Sequence, residues 1–194
     1  MTADPGLDSA VPTIRWVGPG PRASSAESAA APMAADSSFG VALVGLWHEV
    51  ARAGGGVGFA DTADRADVAR LVAPIVEDLR KGRALAVAAA QGRRLVGAAV
   101  LYPGPGARAH TGRLDLLMVE PALTGCGLGR AMLTVLLDGA RARGLDRVGV
   151  EFGQDDRVQR FFERFGFQVW GRRPGWQRTG PGVERDETVM GVVW

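Results

Sequence analysis

The chain has 194 residues, 46% of them hydrophobic, and its 23 Lys and Arg against 21 Asp and Glu give a formal charge of +2. That length suits one domain with a sizeable core, and so small a cationic excess does not by itself call for a nucleic-acid partner. The single cysteine, Cys126, excludes an intrachain disulfide and a multi-thiolate metal site. Without a run of about 18 apolar residues, or a basic-then-apolar start, the expectation is a soluble cytoplasmic protein with no membrane or metal partner.

Residues 1–37 are rich in Ala, Pro, Ser and Gly and read as a flexible extension, "TIRWV" alone resembling a strand, with residues 38–194 as the single folded domain. Met33 is a candidate start of the folded protein. Phe39, Leu43, Leu46, Trp47 and Val50 recur at helical spacing after Ser37 and Ser38, the candidate caps. A second helix is expected from about Thr62 to Lys81 on Val68, Leu71, Val72, Ile75 and Leu79, kinked or split at Pro74. "ALAVAAAQGRRLVGAAVLY" reads as two strands turning near Gln91-Gly92, and "RLDLLMVEP" as a third.

Gly125, Gly127 and Gly129 follow at alternate positions and lead into a helix whose Leu133, Leu136, Leu137 and Ala140 share one face. "RVGVEF" is a strand, Asp155 to Arg164 a helix burying Val158, Phe161, Phe162 and Phe165, and "GFQVW" and "ETVMGVVW" close the chain as strands. The order implies an α/β (α+β) domain with a central sheet between helical layers.

Bare backbone ahead of a helix start describes an anion cradle. Arg130 and Ala131 stand where a P-loop needs Lys and Ser or Thr, which removes that reading. Arg130 in place of a third glycine weakens a dinucleotide fingerprint without abolishing it. Leu114 to Phe167 resembles the GNAT superfamily of N-acetyltransferases, carrying its glycine-loop motif as "LLMVEPALTGCGLGRAML" and its second motif as "DDRVQRFFERFGF". Beyond those motifs the likeness to antibiotic- or toxin-resistance members is slight.

The resemblance implies a three-layer α/β/α domain with a mixed, mostly antiparallel sheet, and acetyl-CoA as cofactor. Main-chain N–H groups from Gly125 through Cys126, Gly127, Leu128 and Gly129 to Arg130 would hold its pyrophosphate, with Thr124 beside them in the cofactor site. Leu117, Met118 and Val119 would form the splayed strand beside pantetheine, with the Val119 N–H as oxyanion donor, and Asp155 and Phe162 would complete the cofactor contacts. Asp115 is the candidate base or amine-binding carboxylate, sharing a face with Leu117 and Val119 if strict alternation holds, an alternation that the bulge frequent on this strand in the resembled family would change. An ion pair with Arg113 is its alternative reading.

Thr124, Asp155 and Phe162 depart from the family's Arg or Gln, Asn and Tyr. His110, Tyr102 and Glu151 are lesser candidates for proton transfer, Cys126 reads as a bystander, and Trp47, Trp170 and Trp176 read as acceptor-pocket or core residues. The expected activity is direct acetyl transfer to a primary amine of a small molecule. A weak acyl-CoA-binding sensor and a peptide or protein N-acetyltransferase are the alternatives, and exposed edge strands would admit a homodimer.

Overall fold

A computed structural model describes residues 11–20, 31–55, 58, 64–180 and 182–194. In chain order the elements are β1 (Thr13–Val17), α1 (Ser37–Arg52), α2 (Arg65–Arg80), β2 (Leu85–Gln91), β3 (Arg94–Pro103), β4 (Thr111–Val119), α3 (Leu128–Ala142), β5 (Arg147–Gly153), α4 (Asp156–Glu163), β6 (Gln168–Gly180) and β7 (Val183–Val193). The strands form one seven-stranded sheet in the order β1-β2-β3-β4-β5-β7-β6, antiparallel except where β4 meets β5. This is the expected mixed, mostly antiparallel sheet between two helical layers.

Apolar spacing decides which face each helix covers. Phe39, Leu43, Leu46, Trp47 and Val50 of α1 join Val68, Val72, Ile75 and Leu79 of α2 in a core against Ala86, Ala88, Val100, Leu116 and Met118. On the opposite face Met132, Leu133, Leu136, Leu137 and Ala140 of α3 pack with Val87, Val96, Leu114, Val148, Val150 and Phe152. Leu71, expected inside, is 48% exposed.

Several expectations are corrected. The sequence from Thr13 to Val17, assigned to a flexible extension, is a strand paired antiparallel to Val87 and its neighbours in β2, and Val17 is buried between β2 and the α1–α2 layer. Met33 exchanges backbone hydrogen bonds with Trp16 and Gly18, so it lies against this strand rather than opening the fold. The α1 cap is Asp36, whose carboxylate accepts from the N–H groups of Ser38 and Phe39, and not a serine. Pro74 neither splits nor ends α2, which stays continuous; Arg70, whose carbonyl loses its helical donor, is exposed and water can replace it. The part of the second helix expected from Thr62 to Ala63 lies outside the described residues.

Candidate active site

The functional geometry begins where two neighbouring strands part. β4 and β5 pair in register only from Thr111–Arg147 to Leu114–Val150, although β4 continues to Val119 and β5 to Gly153. β3 stays paired with β4 as far as Val119, and β7 stays with β5 as far as Gly153, so each strand keeps its outer neighbour while the inner edges open into a fork. The Glu120 N–H donates to the Val96 carbonyl of β3. Strand alternation therefore turns the N–H groups of Leu117 and Val119 the other way, toward the fork, and that of Met118 back to β3. Of the expected splayed strand, Leu117 and Val119 offer main chain to the fork; Met118 does not, and its side chain is buried in the α1–α2 core.

Beyond Val119 the chain reaches the glycine loop. Gly125 and Gly127 adopt left-handed φ of 87° and 89°, a conformation costly for residues with a Cβ. Gly127 is also the N-cap of α3 and supplies no side-chain cap. The first helical bond is from Ala131 N–H to the Gly127 carbonyl, which leaves the N–H groups of Leu128, Gly129 and Arg130 without a helical acceptor. A Cβ at Gly125 or Gly127 would meet no protein atom within 4 Å. These donors face open space at a positive helix end, the arrangement that receives a phosphate oxygen. Thr124, Cys126 and Arg130 are exposed around it, Cys126 Sγ hydrogen-bonding the Leu123 carbonyl at 2.9 Å. Gly129 is half-buried against Val119 and Phe161, which ties the loop to the strand end.

Two expected cofactor contacts are placed differently. Phe162 is buried, stacked on Phe152 and packed edge-on by Phe161, so its ring belongs to the core and does not line the loop. Apolar pressure on the inner face of α4 explains this, and Phe161 is the ring beside Gly129. The Asp155 carboxylate caps α4, accepting from Arg157 and Val158 N–H at 2.7 and 3.2 Å, so it is committed to the helix.

On the α1–α2 side of the fork lies the charged cluster. Asp115 is an extra residue in β4, since Leu114 pairs with Leu101 and Leu116 with the adjacent Val100. The bulge reverses the faces: Leu114 joins the α3 core, but Leu116 and Met118 join the α1–α2 core. Strict alternation therefore fails, and Asp115 does not share a face with Leu117 and Val119, which pack on the α3 side. It pairs instead with Arg113, whose guanidinium lies 5.8 Å from the Tyr102 ring centroid. Tyr102 hydrogen-bonds Asp78, and burial, then the charges of Asp78 and Asp115, push its phenol up to about 12. His110 is exposed in the loop before β4 and contributes its carbonyl to Asp146 N–H.

Across the fork, Glu151 is the first β5 residue beyond the last β4 pair. Arg173 binds it at 3.0 Å and the buried Glu187 at 2.6 Å. Sequence reading left Glu151 in a minor place and did not single out Arg173 or Glu187; the alternation Val148, Val150, Phe152 was the available sign that Glu151 faces away from the α3 core. Trp47 is core, and Trp170 and Trp176 are 53% and 65% exposed. Among the described residues no cluster of His, Cys, Asp or Glu could hold a metal, and no helix is long and apolar enough to cross a membrane.

Residues 57–167 match the acetyltransferase (GNAT) family, and the chain belongs to it. Members of this family draw their acetyl group from acetyl-CoA. A mycothiol acetyltransferase of Beutenbergia cavernae is 43% identical over 60 residues, a match spanning 30% of this chain and 20% of that protein. The fold is similar to yncA of Salmonella typhimurium, solved with its cofactor acetyl-CoA, at TM-score 0.68 and 19% identity over 95% of this chain and 94% of that one. It is likewise similar to a ribosomal-protein-alanine N-acetyltransferase of Brucella melitensis, at TM-score 0.66 and 19% identity over 82% of this chain and 97% of that one.

Proposed function

We propose that this protein transfers the acetyl group of acetyl-CoA directly to a primary amine of a small molecule. The observation that carries the reading is the fork itself: two unpaired strand edges ending at a helix start whose N–H groups have no partner. Bound there, acetyl-CoA would supply an acetyl carbon activated as a thioester. Loop N–H groups from Gly125 to Arg130 would hold its pyrophosphate, and Arg130 and Arg157, exposed and without ion pairs among the described residues, would stand in for the cation absent at Thr124. Leu117 and Val119 would pair with its pantetheine arm, and the Val119 N–H would stabilise charge developing on the carbonyl oxygen.

Transfer forms one N–C bond and breaks one C–S bond. An acceptor ammonium first loses a proton, because only the free amine has a lone pair. Asp115, beside the fork on the face away from α3, accepts it. A second proton passes from the attacking nitrogen to the leaving sulfur. Phe162 cannot supply it, and a thiolate whose ordinary pKa is about 8.5 can leave without a dedicated acid.

A protein acceptor is the second reading, favoured by the likeness to ribosomal-protein-alanine acetyltransferases. The small open pocket beside the fork, about 240 Å³, favours a small molecule instead. The test is thermal unfolding with acetyl-CoA, coenzyme A, NAD and ATP at equal concentration. Acetyl-CoA at 100 times its Kd should stabilise the fold by about 2.7 kcal/mol, while a shift with NAD or ATP only would overturn the assignment.

A further inference from the structure

Among the described residues, the half of the sheet beyond the fork has one face without a helix. Arg147, Gly149 and Glu151 of β5 alternate with Val148, Val150 and Phe152, which face α3, and so point to the α1–α2 side. Of the contacts that α1 makes with the sheet, those of note are with β3 and β4, so this half is left open on that side. Trp170 lies across it. The ring occupies the space that a Cβ at Gly191 would take, lies within ordinary van der Waals reach of one at Gly149, 3.6 Å away, and is 53% exposed on its remaining surface. Trp170 is the extra residue of a bulge in β6, between Val169 and Gly171. Glycine at 191 is therefore what leaves room for the indole against the sheet.

This ring walls the pocket that also has Arg113, Arg147, Gly149, Glu151 and Val189 along it. Its charges are nearly all spent. Arg113 is paired with Asp115 and Arg147 with Asp146, so each of these cations already has a counter-charge. Glu151 and Glu187, in contrast, share the one guanidinium of Arg173. With its ion-pair partners the lining thus carries one more carboxylate than cations. At about 240 Å³ it is smaller than the roughly 300–1,000 Å³ of pockets for drug-sized ligands.

We infer that the acceptor is a compact primary amine bearing a flat apolar ring and no carboxylate, an arylalkylamine in chemical class. Its ring lies on the exposed side of Trp170, where offset stacking is favourable, and its ammonium is drawn to the excess negative charge at Glu151, at the base of the fork where β4 and β5 part next to Asp115. An α-amino acid with the same ring would bring a further carboxylate to a site whose carboxylates already outnumber its cations. This inference rests on the acetyltransferase reading and narrows its acceptor.

The test is coenzyme A release from acetyl-CoA with phenethylamine, L-phenylalanine and an alanyl peptide, beside the thermal shift with acetyl-CoA. Phenethylamine should exceed both others at least tenfold in kcat/KM. Trp170→Ala should raise its KM with the KM for acetyl-CoA unchanged. Glu151→Gln removes the excess charge, so the phenethylamine-to-phenylalanine ratio should fall toward one, a change that a merely structural role would not produce. A thermal shift with acetyl-CoA but equal or better use of phenylalanine or the peptide, or no use of phenethylamine, overturns the acceptor class and leaves the donor site standing. No shift with acetyl-CoA overturns both.

Discussion

Asp115 owes its position to one inserted residue. Without the bulge its side chain would follow Leu117 and Val119 toward the α3 core, where a carboxylate would be desolvated; with it, the side chain meets Arg113 on the open side. Asp115→Asn keeps the shape and removes the proton acceptor, so turnover should fall about 100-fold with acetyl-CoA affinity unchanged, as isothermal titration would show. An unchanged rate would remove Asp115 from the mechanism. Tyr102 is the sole tyrosine, so phenolate absorbance reports it alone. Its folded pKa is raised to about 12 from 10.0: the protein holds a proton that the unfolded chain has released, and the associated stability is complete below pH 10 and lost as pH rises through 12. The native titration midpoint should lie near 12, moving toward 10 on unfolding; a native midpoint at 10 would show Tyr102 to be solvated.

The glycine loop and the N-terminal strand make separate demands on the chain. At Gly127, φ of 89° costs any L-residue about 1 kcal/mol or more. Gly127→Ala should therefore lower stability by that amount and weaken acetyl-CoA binding by a larger factor, because the methyl group would project into the space the donors face. Equal affinity would mean that the cradle lies elsewhere. For β1 the measurement is the unfolding of a chain beginning at Met33. It would lose the strand that pairs with β2 and the buried Val17, a residue worth about 1.5–3 kcal/mol, and should unfold at least about 2 kcal/mol more easily.

This strand was hard to read because five residues among Ala, Pro and Ser carry little periodicity, and their partner lies some 70 positions away in β2. The α3 face and the loop glycines were legible because spacing and conformation are local properties. The bulge at Trp170 was not, and the one at Asp115 entered only through the family resemblance, not from the strand's own residues. Each inserts one residue and exchanges the faces of those next after it, a consequence of pairing that alternation along a single strand cannot reveal.

At the scale of the molecule, the sheet is two half-sheets joined by four residue pairs between β4 and β5, with α1 and α2 on one half and the fork between them. A donor seated in the fork would supply the hydrogen bonds that β5 does not, and so would join the halves along edges that are unpaired. Amide exchange can read this residue by residue. The Met118 and Glu120 N–H groups point to β3, where Val96 accepts from Glu120, and should be protected with or without ligand. Those of Leu117 and Val119 point to the fork and should exchange readily in the free protein. Acetyl-CoA at about 100 times its Kd leaves roughly 1% of the protein free, so exchange at these two positions should slow by at least about tenfold with Met118 unchanged. Uniform slowing along β4 would instead report global stabilisation, and no change at Leu117 and Val119 would mean that the fork does not pair with the cofactor.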